Sequence, residues 1–204
     1  MYRFVCRRFA DMDKDALEEL GRFRHEVFIG KLRWDVVSLH PRPGIEIDQF
    51  DTDGTIFITA LDNKGQVAGC TRLLPTTQPY LLGEVFPRLC DKPVPRDAKV
   101  WELSRYAAIP EVSGTLGISL FKVSMQFAHM QGVRDVVAVT TQSLERYFLR
   151  HGVELRRLGG SLSRGKDKLV ALCFSTHQFL NFIHRVNLDE TLQEHIDNKS
   201  IIAL

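Results

Sequence analysis

Apolar and polar positions along this chain follow two periods, one of strands and one of helices, and the two alternate in mixed order. Residues 2–9 carry the aromatic and β-branched side chains of a short strand. Asp11 or Asp13 then offers a helix cap ahead of Leu17, Leu20, Phe23, Val27 and Phe28, which recur at helical spacing and set Arg24 and Phe28 one turn apart. Past Trp34 the stretch through Pro41, Pro43 and Gly44 is irregular, a candidate loop over a pocket, with Asp48 and Asp51 at its end. Residues 55–61 and 66–74, joined by Asp62-Asn63-Lys64-Gly65, read as an antiparallel hairpin with Arg72 inside its second strand.

A helical turn at 83–89 and a connection containing Pro93 and Pro95 lead to a strand at 99–109. Pleating there sets Glu102 and Ser104 on one face and Arg105 on the other, so a ligand touching all three demands a bulge or a splayed edge. Gly114-Thr115-Leu116-Gly117 opens a helix that ends near residue 131 at Gly132, and residues 133–140 form the nearly continuous apolar strand of a sheet covered on both faces. A helix at 144–151 stops at Gly152; strands at 153–158 and 168–175, an amphipathic helix at 178–186 and a polar tail complete the chain. This order predicts the α/β class, as a three-layer α/β/α sandwich around a mixed sheet.

No stretch rich in Pro, Gly or Ser separates one part from another, so residues 1–204 read as a single domain. At 44% apolar and 25% charged residues the composition is that of a soluble globular protein, and no apolar run approaches a bilayer span. Arg3, Arg7 and Arg8 interrupt the start too early for a signal peptide, so a cytoplasmic protein without a membrane partner is expected. Cys6, Cys70, Cys90 and Cys173 are scattered, and the histidines (25, 40, 129, 151, 177, 184 and 195) show no ligand spacing, so neither disulfides nor a metal is expected. A formal charge of +2 is too small to imply nucleic acid, although Arg150, Arg156, Arg157, Arg164, Lys166 and Lys168 make one stretch locally basic, as solvated loops often are.

Arginines, acids and aromatics concentrate in the first half, a mixture suited to a small zwitterionic ligand that also carries a cation. Singly, Arg24 is a surface helix charge, Phe28 and Trp34 are core, and Asp48 and Asp51 are turn residues; Arg72 and Arg105, inside strands, need partners. The ordered set Arg24, Phe28, Trp34, Asp48, Asp51, Arg72, Glu102, Ser104 and Arg105 resembles the LuxI-type acyl-homoserine lactone synthases, an autoinducer synthase family. That resemblance implies a fold similar to the GCN5-related N-acyltransferases and a reaction in two steps. An acyl group passes from an acyl carrier protein, or acyl-CoA, to the α-amine of S-adenosylmethionine; the carboxylate then closes a lactone and releases methylthioadenosine. S-adenosylmethionine is consumed, so no cofactor is implied.

Carried onto this chain, the resemblance gives Arg24, Phe28, Trp34, Asp48, Asp51 and Arg72 to S-adenosylmethionine. Arg24 meets its carboxylate, the two aromatics its adenine or sulfonium, and the two aspartates its ammonium. Glu102 is the candidate base, or else a structural partner for an arginine; Ser104 donates a hydrogen bond and Arg105 organises the carboxylates. Leu120, Phe121, Ser124, Met125, Ala138, Val139, Thr140 and Phe148 are expected to wall the acyl groove, or to be ordinary core. Relatives selecting 3-oxo chains commonly carry a threonine where Ala138 stands, which argues for an unsubstituted chain, of medium length near octanoyl. The basic stretch complements an acidic carrier protein. The competing readings are a GCN5-like N-acyltransferase using acyl-CoA on another amine, which Gly114 and Gly117 match only in part, and a non-catalytic sensing module, for which no recognition helix is visible.

Overall fold

In the computed structural model, which describes residues 2–110 and 114–180, the N-terminal alternation becomes strand β1 (Arg3–Arg8). Asp13 caps the helix behind it by accepting the Ala16 N–H at 2.8 Å. That helix, α1 (Lys14–Arg24), continues into a π-helical segment, His25–Lys31. The expected hairpin is β2 (Ile56–Leu61) and β3 (Val67–Pro75). The expected turn resolves into α2 (Leu81–Glu84) and a 3-10 turn, Pro87–Leu89. After these come β4 (Val100–Ala108), α3 (Leu116–Met130), β5 (Asp135–Thr141), α4 (Gln142–Arg150), β6 (Arg156–Arg164) and β7 (Asp167–Ser175).

Among the described residues the strands form one mixed sheet in the order β1-β2-β3-β4-β5-β7-β6. Only β4 and β5 run parallel, because α3 carries the chain back across the sheet between them. On one face α3 and α4 bury Phe121, Phe127 and Phe148 against Leu103, Val136 and Leu172. On the other, α1 packs Leu20 and Phe23 over Phe57 and Cys70, and α2 packs Leu82 beside Val100 and Val137. The three layers anticipated from the sequence are those observed.

Two irregularities in β4 shape the centre of the sheet. Arg72 pairs with Ser104 while Cys70 pairs with Ala107, so two steps on β3 face three on β4, and the extra residue forms a β-bulge at Arg105. Arg105 takes φ +50, a left-handed conformation that a side chain with a Cβ adopts only at a cost of roughly 1–3 kcal/mol. Second, β4 and β5 are paired only from Val100 to Glu102, although β4 runs on to Ala108 and β5 to Thr141. Past Glu102 the two strands part and leave an open seam.

The expectation from sequence fails in one region. The strand expected at 153–158 starts only at Arg156 and runs on to Arg164, so residues 159–164 are the last six of β6, and the basic stretch taken as loop lies on α4, on the β6–β7 hairpin and on its turn. Gly159 is glycine because the Leu89–Asp91 backbone lies against it, and the rest of this edge strand is mostly exposed and needs no apolar alternation, so Gly159-Gly160-Ser161 carried no strand signal. Of the helix expected at 178–186, the structure describes a 3-10 turn at Thr176–Phe179 and Leu180; the remainder lies outside the described residues.

Candidate active site

Glu46, a residue absent from the set chosen on sequence, is the hinge of the site. Gly21 of α1 accepts the Glu46 N–H at 2.9 Å, and a Cβ on Gly21 would run into Ile45, so the loop can approach the helix only because that position is glycine. The turn at 48–51 is held by its own acids. Asp48 Oδ1 accepts the Phe50 N–H at 2.9 Å and Asp51 Oδ2 accepts the Asp48 N–H at 2.8 Å, which aims both carboxylates at the sheet.

There they meet three arginines in a closed alternating ring. Arg24 contacts Glu46 at 2.5 Å and Asp51 at 2.8 Å. Arg72 contacts Asp51 at 2.7 Å and Asp48 at 2.5 Å. Arg105 contacts Asp48 at 2.5 Å and Glu46 at 2.9 Å, which completes the circuit. Each acid bridges two arginines and each arginine two acids, so the formal charges cancel. All six side chains are between 0% and 5% exposed, a depth at which an unmatched charge would be untenable.

Without the bulge, Arg105 would point into the α3 layer; with it, Arg105 joins Ser104 on the α1 side and Tyr106 returns to the α3 side. Ser104 Oγ accepts the Arg72 Nε–H at 3.0 Å. Each arginine also lies over a ring: Arg24 over Phe57 at 5.5 Å, Arg72 over Phe50 at 5.7 Å and Arg105 over Phe28 at 5.4 Å. Phe28 is buried on the π-helical turn, and Trp34 stacks on its outer side at 4.9 Å and 29° while remaining 44% exposed. Trp34 is therefore the accessible edge of the constellation. One donor stays open: Arg72 Nη2 is buried and has no hydrogen-bond partner among the described residues.

The ring shifts the titration of its members. Burial alone would push the Asp51 carboxyl up, but the charges of Arg24 and Arg72 outweigh it and bring the group down to about 2. Glu46 is likewise held below its ordinary range, burial being overcome by Arg24 and Arg105. Cys70, buried beneath the ring, is pushed up to about 12 by desolvation. Glu102 behaves in the opposite way. It is fully buried, and desolvation raises it to about 7 even though Leu82 and Leu81 donate their N–H groups to its two oxygens at 2.7 and 2.9 Å. It thus anchors the first turn of α2 and still titrates near neutrality.

The sequence-chosen residues are therefore mostly gathered. Arg24, Phe28, Asp48, Asp51, Arg72, Ser104 and Arg105 form one cluster, Trp34 borders it, and Glu102 adjoins it on β4. The expected acyl wall divides. Leu120, Phe121, Met125, Ala138 and Phe148 are buried together in the α3 and α4 layer, whereas Val139 packs on the opposite face of the sheet. Ser124 Oγ is engaged with Leu120 O and Thr71 Oγ1, both at 2.8 Å, and Thr140 is half-buried on β5. Arg150 ends α4, Arg156, Arg157 and Arg164 lie on β6, Lys166 in the turn and Lys168 on β7; Arg157 is clasped by Glu145 at 2.6 and 2.7 Å. Glu46 was legible in one respect: Ile45-Glu46-Ile47-Asp48 alternates, and an extended chain would put both acids on one side.

Among the described residues no cluster of three or more metal-binding side chains occurs, and no helix is long and apolar enough to cross a membrane. The model of the autoinducer synthase family matches residues 8–179. An acyl-homoserine-lactone synthase of Pseudomonas aeruginosa is 49% identical over 178 residues, 87% of this chain and 88% of that protein. The crystal structure of TofI, in a ternary complex with an inhibitor and MTA, is 34% identical with a TM-score of 0.78, covering 93% of this chain and 99% of that one. The CoA-dependent acyl-homoserine lactone synthase BjaI, solved with SAM and isopentyl-CoA, is 26% identical with a TM-score of 0.79, covering 97% and 90%. An acyl-CoA N-acyltransferase from Pseudomonas aeruginosa shares the fold alone, at 19% identity, a TM-score of 0.61 and coverage of 85% and 99%.

Proposed function

Since the chain belongs to the autoinducer synthase family and is an acyl-homoserine-lactone synthase, we propose that it joins S-adenosylmethionine to an unsubstituted acyl group carried as a thioester by an acyl carrier protein. The observation that carries this reading is the closed ring of Arg24, Glu46, Arg105, Asp48, Arg72 and Asp51, set beside the open seam between β4 and β5. A ring of balanced charges suits a substrate that brings opposed charges of its own. The seam suits an extended thioester arm, because the parted strand edges leave backbone donors and acceptors for it.

In this reading Arg72 Nη2, the unpartnered donor, takes the α-carboxylate, and Asp48 faces the α-ammonium. Arg24 and Arg105 hold those groups in place from behind, and Glu46 positions both arginines. Phe28 and Trp34 receive the adenine or the sulfonium. Glu102 accepts the ammonium proton, directly or through water; its value of about 7 lies close to the roughly 7.7–8.0 of a free α-amine, so the transfer is nearly balanced. The freed nitrogen attacks the thioester carbonyl, the amide bond forms and the carrier thiol leaves. Ser104 polarises the carbonyl. The carboxylate oxygen then displaces the neutral thioether methylthioadenosine from the γ-carbon, a step that demands orientation more than acid or base.

Basic residues on α4 and the β6–β7 hairpin, Arg150 and Lys168 among them, form the docking face for the acidic carrier, and the cytoplasm is where both substrates meet it. Acyl-CoA is the second reading, favoured by the isopentyl-CoA bound to the BjaI relative. Purified protein given S-adenosylmethionine with either acyl-carrier or acyl-CoA tests both. Mass spectrometry is expected to find an N-acyl-homoserine lactone and methylthioadenosine in equal amounts, formed faster from the carrier. Absence of both products from either donor would overturn the reading.

A further inference from the structure

We propose that Glu18 and Arg42, neither of which belongs to the ring, are positioning residues for the sulfonium substrate. Their ion pair clamps the loop at 38–47 onto α1 and so fixes Glu46, and through it Arg24 and Arg105. The proposal rests on the reading that the ring receives S-adenosylmethionine.

One face of α1 meets this loop at three successive positions. Glu18, Gly21 and Arg24 recur every third residue, which sets them on the same side of the helix. Glu18 receives Arg42 Nη1 on both carboxylate oxygens, at 2.8 and 2.9 Å. Gly21 accepts the Glu46 N–H at 2.9 Å, and Arg24 donates to the Glu46 carboxylate at 2.5 Å. Between these pins the loop is stitched across. Ser38 Oγ donates to Ile45 O at 2.7 Å and accepts the His40 and Ile47 N–H groups at 3.1 and 3.2 Å, while the Leu39 N–H meets Ile47 O at 2.7 Å. A shift at Arg42 is therefore carried to residues 45–47 instead of being absorbed on the way. Trp34 stands just before the loop and Asp48 just after it, so the seat of the loop on α1 bears on both sides of the substrate site.

The pair is placed to orient more than to stabilise. The Arg42 side chain is 60% exposed, and an ion pair open to solvent on one side adds little to folding. Glu18 is only 10% exposed and needs a cation, yet Arg22 of its own helix reaches it no closer than 3.4 Å. Replacing Arg42 thus spares the core and frees the tip of the loop. Glu46 is then seated by Gly21 and the ring alone, and a displacement of about 1 Å in a positioning group can cost about 100-fold in rate. A single nitrogen of Arg42 makes both contacts, so lysine can stand in for it and glutamine cannot.

The test is steady-state kinetics, with calorimetry of S-adenosylmethionine binding, on Arg42→Gln, Glu18→Ala, their double variant and Arg42→Lys, each checked for folding by its melting temperature. The KM and Kd for S-adenosylmethionine are expected to rise by about 10-fold in the first three, the double variant being no worse than either single one. The KM for the acyl donor is expected to keep its value, and Arg42→Lys to recover most of the loss. Partial unfolding would lower kcat and leave KM alone, so this split is one that a merely structural pair does not produce. Should Glu18→Ala fail to fold, Arg42→Gln set against Arg42→Lys decides the matter. Folded variants that bind S-adenosylmethionine as the intact protein does, or effects that add in the double variant, overturn the proposal and leave the synthase reading standing. An intact protein that binds no S-adenosylmethionine and forms no lactone overturns that reading, and the proposal with it.

Discussion

Asp48 Oδ2 lies 2.5 Å from Arg105 Nη2, joining a surface turn to a strand in the middle of the sheet. The contact exists because the bulge reverses the direction in which Arg105 would otherwise point. Strain in one residue thus permits a buried ring of six charges, and the ring in turn holds that residue in its left-handed conformation. Each feature requires the other, so the ring should respond as a unit.

Removing one carboxylate tests that unity. Glu46→Gln removes the carboxylate charge that Arg24 and Arg105 share at a position buried from solvent, and a broken buried pair typically costs about 3–5 kcal/mol. Urea unfolding should show a loss of this size, with turnover falling as well. A loss below about 1 kcal/mol, the level of a surface ion pair, would mean that the ring is not the integral structure described.

Acid should dismantle the ring. Asp51 falls from an ordinary 3.8 to about 2, so its contribution to stability is complete above pH 3.8 and disappears as the pH drops through about 2. Glu46, held low by Arg24 and Arg105, acts in the same direction. Thermal unfolding followed between pH 5 and 2 should fall steeply, and Asp51→Asn should flatten the curve.

Glu102 carries the opposite sign. Raised from 4.5 to about 7, its neutral form contributes stability that is complete below pH 4.5 and lost as the pH rises through about 7. In the proposed mechanism the ionised form is the base, so acyl transfer should rise across the same interval. Glu102→Gln is expected to lower kcat by roughly 100- to 10,000-fold, to abolish that rise and to leave S-adenosylmethionine affinity nearly intact. Turnover close to that of the intact protein would confine Glu102 to supporting α2.

Trp34 separates binding from folding. Being half-exposed and, among the described residues, stacked on Phe28 alone, it can be replaced by Ala with little change in melting temperature. The KM for S-adenosylmethionine should rise by about 2- to 30-fold, the range of one cation–π contact, and Trp34→Phe should recover most of it. An unchanged KM would remove Trp34 from the substrate site.

Charge reversal at Arg150 and Lys168 addresses the carrier. The double change to Glu should raise the KM for carrier-bound donor at low salt, and flatten or reverse its rise with salt, without altering that for acyl-CoA. Arg157, already clasped by Glu145, should matter less. Identical donor kinetics in the double variant would place the docking face elsewhere.

What the chain declared in its linear order was whatever depends on neighbours. The caps, the hairpin, the three layers and the concentration of Arg24, Asp48, Asp51, Arg72 and Arg105 were legible because periodicity and residue type are local properties. The cations Arg72 and Arg105, placed inside strands, also announced that partners must exist. Which partner each would find was not legible. Glu46 escaped notice because a lone acid in a loop resembles any solvated residue until Gly21 draws it against α1. The strand at 159–164 escaped because an exposed edge leaves no alternation in its sequence. The side on which Arg105 stands, the parting of β4 from β5 and the closing of six charges into a circuit were decided only by the fold. They depend on pairing register and on distances between segments far apart in the chain, and burial made those pairings obligatory because a charge shielded from solvent is untenable alone.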